Sequence, residues 1–378
     1  MKILLIFSLN SDVSKHSVYC FRDITTIFDW EYNIIGIPNG MKINKLSEIL
    51  QDVQYDIVLA INFHRHHFNT IFPESMPFIS WVQDSDFART ITVDKFNTAK
   101  CDYMIGYTTT LPVGLRKDRL INMPMLIPEE YYNQHLTRDK SLSFVSNRGN
   151  SPRDFARDVI CRIFTIDYHL LDRFISELED EYQSGLRYCS PSEFRVRELQ
   201  TSSIANWLDG ASDYICDTFT ETYMFWGINE RIYRQTIIDW MIEIGADINL
   251  YGSGWDSQDK YKPFVRGGFI NYRYETPHVF QTSFKSLHLN ATEGYHNRII
   301  ESSLCGARCI MRGKEQSIGR EVIDNEKFFG EQMMMVYDIM TTCINKAPAI
   351  EDKFVEKFDF KNLCDTFTDK NSLRSLLS

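Results

Sequence analysis

Short apolar runs separated by polar, helix-compatible stretches recur along this chain in two series, and that alternation restricts the fold more than any other feature. Lys2 to Leu9 reads as a buried strand, followed by a polar loop and a helical stretch from about Ser17 to Asp29. Asn33 to Ile37, Asp56 to Ile61, Pro77 to Val82, Asp102 to Tyr107 and Leu120 to Met123 continue the strands, with Leu46 to Gln51 on a helix. Met123 to Tyr132, bracketed by Pro124 and Pro128, reads as a linker. The pattern then restarts with strands at Leu142 to Val145, Ile248 to Tyr251, Gly267 to Ile270, Leu287 to Leu289 and Cys309 to Met311, and a helix from Thr276 to Ser286. Between 153 and 245 the chain is polar and mostly helical in pattern, with Trp207, Trp226 and Trp240 as anchors of that section. The expected class is therefore α/β, with two Rossmann-like domains facing a cleft. Their expected extents are 1–132 and 133–350, the second carrying the helical section 153–245, with a helical tail over 351–378.

Composition excludes several alternatives. A chain of 378 residues is too long for one compact core and suits two domains. Acidic residues outnumber basic ones, 51 to 41, and the net charge of −10 argues against a broad grip on nucleic acid or anionic lipid. Nine cysteines are scattered without a CxxC pair, which indicates neither a zinc site nor a disulfide framework, and the expected metal content is none. The apolar run after Lys2 is too short for a signal-peptide core, and no stretch approaches the roughly 20 apolar residues of a membrane span. A soluble protein of the cytoplasm is the expectation.

Polar residues gather where strands give way to loops. Asn62-Phe63-His64-Arg65-His66-His67 follows one strand and Gln83-Asp84-Ser85-Asp86 another, at the strand ends where open α/β sheets bind ligands. His64, His66, Asp84 and Asp86 are acceptor-side or catalytic candidates; the histidines are otherwise solvated loop residues, and the aspartates otherwise cap the next helix. Ser146-Asn147-Arg148-Gly149-Asn150-Ser151-Pro152-Arg153 runs from a strand into a helix opening near Pro152, the parts of a phosphate cradle. Arg148 and Arg153, five apart, fit one diphosphate, or else form a plain surface pair. Gly252-Ser253-Gly254-Trp255 gives a second glycine loop at a strand end, with Trp255 packing beneath it. Glu293 to Ile310, EGYHNRIIESSLCGARCI, places polar and acidic residues at a helix start, where unpaired N–H groups and the macrodipole favour phosphate, or else forms an ordinary solvated helix start with acidic residues in its first turn.

EGYHNRIIESSLCGARCI resembles the paired-glutamate motif of the GT-B glycosyltransferases, in particular the retaining family-4 type and the CgeB-like, spore-maturation group. Glu293-Gly294 matches its first part, Glu301, Cys305, Gly306 and Ile310 its second, and Arg298 stands three before the second glutamate as in the CgeB-like group. Arg148 and Arg153 are similar to that family's arginine and lysine on the donor diphosphate, with arginine in place of lysine, and LYGSGW is similar to its glycine loop beside the nucleotide. The resemblance covers about Leu142 to Met311; the first domain matches in strand order and loop position. It implies a metal-independent hexosyltransferase moving a sugar, with retention, from a UDP- or GDP-linked donor to a glycan, protein or small-molecule acceptor, with no further cofactor. It implies Glu301 on the ribose, Glu293 by the donor sugar, and Gly294 with the helix N-terminus facing the phosphates. Arg148 and Arg153 would neutralise the leaving diphosphate, Arg298 would give support, and Ser146, Asn147, Gly252 and Gly254 would line the nucleotide. Tyr295-His296-Asn297 departs from the motif, and His296 touches sugar or phosphate, or caps the helix. The alternatives are a nucleotide-binding protein of this shape without transfer activity, a phage-type DNA glucosyltransferase, disfavoured by charge, and a nucleotide-sugar isomerase.

Overall fold

The structure, a computed structural model, describes residues 1–9, 12–38, 43–50, 54–68, 71–83, 91–106, 114–122, 126–132, 136–184, 191–195, 199, 204–209, 216, 218–268, 270–290, 296–349, 354 and 357–377. Two compact units divide the chain. The first holds Met1–Tyr132, Tyr272–Tyr274 and Ile323–Asp359, and the second holds Asn133–Asn271, Glu275–Val322 and Phe360–Ser378.

The first unit is built on strands β1 (Lys2–Ser8), β2 (Glu31–Ile37), β3 (Ile57–Ile61), β4 (Phe78–Val82), β5 (Asp102–Gly106) and β6 (Leu120–Asn122), in the order β2-β1-β3-β4-β5-β6. Every pairing is parallel, with Leu4 beside Asn33 on one side and Val58 on the other. Every residue of β3, β4 and β5 is buried, which is why these strands are mostly apolar rather than alternating, with Ser80 and Asp102 as the polar exceptions. The helix Asn325–Ile344, expected in the second domain, belongs here. Its Gln332 side chain donates to Ile127 O at 3.0 Å and accepts from Ile127 N at 2.8 Å, so a buried backbone group is satisfied only if the helix lies against this unit. Tyr103 at the heart of the sheet likewise donates to Ala347 O at 2.7 Å.

The second unit contains β7 (Leu142–Val145), β8 (Ile248–Tyr251), β9 (Val265–Gly267), β10 (Lys285–His288), β11 (Arg308–Arg312) and β12 (Cys364–Phe367), in the order β12-β11-β10-β7-β8-β9, again parallel. The fold class is the expected one: α/β, with two Rossmann-like units, each on a six-stranded parallel sheet. The tail departs from expectation, because Cys364–Phe367 pairs with β11 as the sixth strand before the helix Lys370–Leu377. Four residues, CDTF, are too short to show a periodicity; tertiary pairing makes the strand, and Asp365 secures it through Arg308 at 2.8 Å and Lys285 at 3.5 Å.

Between β7 and β8 the described residues are mostly helical, including Tyr168–Ser184 and Glu230–Glu243. Phe174, Phe194, Phe219 and Phe225 close their core, with Phe194 edge-on to Phe225 at 5.5 Å. Trp240 anchors the section as expected, but Trp226 is 40% exposed and only its edge meets Phe225. Among the described residues no helix is long and apolar enough to cross a membrane.

Candidate functional site

In the second sheet β8 lies on one side of β7 and β10 on the other, so the strand order reverses between β7 and β10. At such a point the chain leaves the two strands in opposite directions and opens a crevice at their carboxyl ends. Arg234, from the helix Glu230–Glu243, spans that point. Its Nε donates to Leu289 O beyond β10 at 3.2 Å, and its Nη1 to Ser146 Oγ beyond β7 at 3.3 Å. Glu230, one helical turn before and 4% exposed, accepts from its Nε at 3.1 Å and its Nη2 at 2.8 Å.

Two further guanidinium groups join it. Arg298 donates through Nη1 to Val145 O, the last residue of β7. Arg231 lies over the Phe155 ring at 4.2 Å, and a Cβ on Gly149 would sit 3.5 Å from its Nη2. Its Nη1 donates to Gly227 O, while its Nε has no hydrogen-bond partner among the described residues. Burial and then the charge of Arg234 hold the Arg231 guanidinium below its ordinary value.

The loop after β7 is fixed by the loop after β8. Asn147 Oδ1 accepts from Ser253 N at 2.9 Å, and Trp255, fully buried beneath as expected, donates its indole N–H to Ser146 O at 2.6 Å. Gly252, at φ +121°, comes so close that a Cβ would meet Ser146 O at 2.5 Å; no other residue type fits without moving backbone. Gly254, at φ +86°, leads into the turn holding Trp255.

The helix Asn297–Leu304 starts at the same end of the sheet. Of the two roles open to His296, the structure supports the cap: its Nδ1 accepts from Arg298 N at 3.2 Å. Its ring lies 4.6 Å from that of His288, at the end of β10. Burial, then Arg298 and Arg234, push His296 down to about 3; burial, then His296, Arg298 and Arg234, also push His288 down. Both imidazoles are therefore neutral near pH 7, and the positive charge here is guanidinium charge. Glu301 is buried on this helix at 1% exposed, and after burial itself it is the main group raising the neighbouring Cys305 thiol. Glu293 and Gly294 lie outside the described residues.

The structure uses the expected arginine pair differently. Arg148 is 7% exposed and turns to Ser257 Oγ at 3.0 Å and the Tyr261 ring at 5.9 Å. Arg153 is committed to the helix Tyr168–Ser184, with Nε on Asp172 and Nη1 on Glu179, both at 2.8 Å, and Nη2 on Ser176 at 3.0 Å. A helix-to-helix ion network thus accounts for Arg153, and the two do not share a partner. Arg231, Arg234, Glu230 and His288 were not singled out by the sequence. Their one signal is the run Glu230-Arg231-Ile232-Tyr233-Arg234, where three-residue spacing puts both arginines on neighbouring positions of one helix face.

In the first unit His64 is buried just before the turn Arg65–Phe68, and His66 is half-exposed on it. With Arg65, Ser80, Lys95 and Asp102 they line a cavity of about 580 Å³. Arg65 is structural: it meets Asp102 Oδ1 at 2.6 Å and the carbonyls of Pro73 and Met76 at 2.8 and 2.6 Å. Asp84 and Asp86 lie outside the described residues. Among the described residues no group of three His, Cys, Asp or Glu side chains is arranged to hold a metal ion.

No protein-family model and no curated protein sequence matches the chain. Among solved structures it is similar to WaaG, a glycosyltransferase involved in lipopolysaccharide biosynthesis, at 9% identity and a TM-score of 0.39, covering 100% of both chains. It is also similar to the glycotransferase of kitacinnamycin, at 8% identity and 0.38, covering 99% of this chain and 89% of the other. A third is the lipopolysaccharide outer core galactosyltransferase WaaB, at 11% identity and 0.33, covering 100% of both. At these values no residue role passes from those proteins to this chain.

Proposed function

We propose that the chain is a glycosyltransferase whose second unit holds a nucleotide-sugar donor at the β7/β10 switch point. The observation that carries this reading is Arg234, which joins the ends of β7 and β10 where the strand order reverses, with Arg231 and Arg298 beside it. Guanidinium groups at the carboxyl ends of parallel strands are the arrangement that binds a phosphorylated ligand and steadies charge on a leaving diphosphate. The motif resemblance supplies the finer assignments. Glu301 takes the ribose hydroxyls, Glu293 and Gly294 stand by the donor sugar, and Ser146, Asn147, Gly252 and Gly254 form the nucleotide wall. Arg298 and the His296 cap fix the helix start.

In the proposed reaction the bond from the anomeric carbon to the diphosphate oxygen breaks, and the diphosphate leaves with the bonding pair. An acceptor hydroxyl oxygen forms the new bond on the same face, with retention, and its proton passes to the leaving phosphate. The donor is UDP- or GDP-linked and the reaction proceeds without a metal. His64 and His66 belong to the acceptor side.

The test is release of nucleoside diphosphate from a panel of UDP- and GDP-sugars by the full chain. Slow release with at least one donor, lost in Glu293→Ala, is expected. A protein that binds nucleotide yet releases none from any donor is the binding protein without transfer activity.

A further inference from the structure

The crossover from β3 to β4 carries only the short turn Arg65–Phe68 among its described residues, where a parallel sheet ordinarily packs a helix. The sheet face over β4 and β5 is therefore incompletely covered, and the cavity of about 580 Å³ lies there, within the roughly 300–1,000 Å³ of small-ligand sites. Ser80, in the middle of β4, and Asp102, which opens β5, line it from the sheet, while Phe72 and Phe96 give it apolar walls. Asp102 is 7% exposed and only its Oδ1 is engaged, by Arg65 Nε at 2.6 Å; Oδ2 accepts from no described residue. Ser80 is 3% exposed, and its hydroxyl makes no hydrogen bond to a described residue. The His66 ring, stacked on His64 at 5.6 Å, is held below its ordinary value by burial and then by Lys95. Near pH 7 it is neutral, with one donor and one acceptor.

A carboxylate oxygen only accepts, so Asp102 Oδ2 requires a donor from whatever fills the cavity. A carboxylate or phosphate group would set a second negative charge against it, and a cation would meet the Arg65 guanidinium on the same carboxylate. At the rim, exposed Lys95 and Glu74 offset one another, so the lining selects for neither sign of charge. Hydroxyl groups on an uncharged ring suit all of these atoms. They donate to Asp102 Oδ2 and exchange hydrogen bonds with Ser80 and His66, and the C–H face of the ring packs on Phe72 or Phe96. We propose that this cavity binds a neutral saccharide; resting on the transfer reading above, that saccharide is the acceptor, which narrows the acceptor to a glycan.

The probes are the methyl glycosides of glucose, galactose, mannose and N-acetylglucosamine, with lactose and maltose, titrated into the full chain without donor and followed by saturation-transfer NMR. Inorganic phosphate, acetate and methylammonium are titrated in parallel. At least one neutral saccharide is expected to bind, and none of the charged probes more tightly. Ser80→Ala is expected to weaken that binding roughly 2- to 10-fold, and Asp102→Asn, which turns the open acceptor into a donor, at least about tenfold. Asp102→Asn also loosens Arg65, so Ser80→Ala, expected to keep the wild-type urea midpoint, guards against a folding defect. The proposal is overturned if no neutral saccharide binds, if both variants bind it as wild type does, or if a charged probe binds more tightly and depends on the same two residues. Release of nucleoside diphosphate from a donor, without binding of any saccharide, would refute this assignment and leave the transfer reading standing. Saccharide binding with no release from any donor would keep the assignment of the cavity and refute the transfer reading.

Discussion

Replacing Gly252 by alanine tests how the second unit builds its crevice. Gly252 has φ +121°, so an alanine there carries backbone strain of about 1–3 kcal/mol before any contact is counted. Its Cβ would lie 2.5 Å from Ser146 O, 2.6 Å from Ser146 C and 2.9 Å from Asn147 N. These are backbone atoms, held by the Trp255 and Asn147 hydrogen bonds, and forcing them apart adds overpacking of about 1–3 kcal/mol. The expected loss is therefore about 4 kcal/mol. Gly245 is the internal control: at φ +73° with nothing within 4 Å of a Cβ, Gly245→Ala costs strain alone, about 1–2 kcal/mol. Urea denaturation followed by tryptophan fluorescence reads both, with the midpoint of the second unit's transition expected to fall at least twice as far for Gly252→Ala. Equal losses would refute the claim that the β8 loop is pressed against the β7 loop.

Two further outcomes follow from buried ionisable groups. His16, 3% exposed and edge-on to Tyr131 and Tyr272, is pushed down to about 3 by burial and Arg273, as His296 is by its own surroundings. Unfolded, each has its ordinary value of 6.5 and takes up a proton that the folded chain refuses. Stability is thus intact above 6.5 and lost as pH falls towards 3, at up to ~1.4 kcal/mol per pH unit for each histidine. His296→Asn, which keeps a capping acceptor, is expected to flatten that slope in acid-dependent urea melts, and an unchanged slope contradicts the assignment. Arg65→Ala leaves the buried Asp102 without its partner and is expected to destabilise the first unit by about 3–5 kcal/mol. A loss below 1 kcal/mol in the same melts would show that Asp102 is compensated otherwise.

The central strands of the parallel sheets were legible because they are buried and appear as apolar runs; β7 and β8 have the expected bounds, and β3, β4, β5 and β11 differ by a residue or two. β12 was not legible, since its four residues owe their conformation to pairing with β11 and to Asp365, contacts made over fifty residues apart. The return of Asn325–Ile344 to the first unit was hidden similarly, resting on contacts made far along the chain: Gln332 to Ile127, Phe329 to Tyr132 and Tyr337 to Trp30. At the candidate site, the glycine loop and the buried Trp255 followed from local chemistry. Arg231 and Arg234 did not, because their role depends on which strand end the helix reaches and nothing in a helical run records that. The tie of Arg153 to another helix was hidden for the same reason: its spacing from Arg148 suits a shared anion, and only the fold brings Asp172 and Glu179 to it.

The most direct measurement of the central claim is a titration of the full chain with UDP and GDP, followed by the melting of the second unit. A diphosphate that binds the folded site raises stability by about 2.7 kcal/mol at a hundredfold excess over its Kd, several degrees for a unit of this size. Such a rise is expected with at least one of them, and a much smaller one with the corresponding nucleoside. No rise with either nucleotide at millimolar concentration would contradict it.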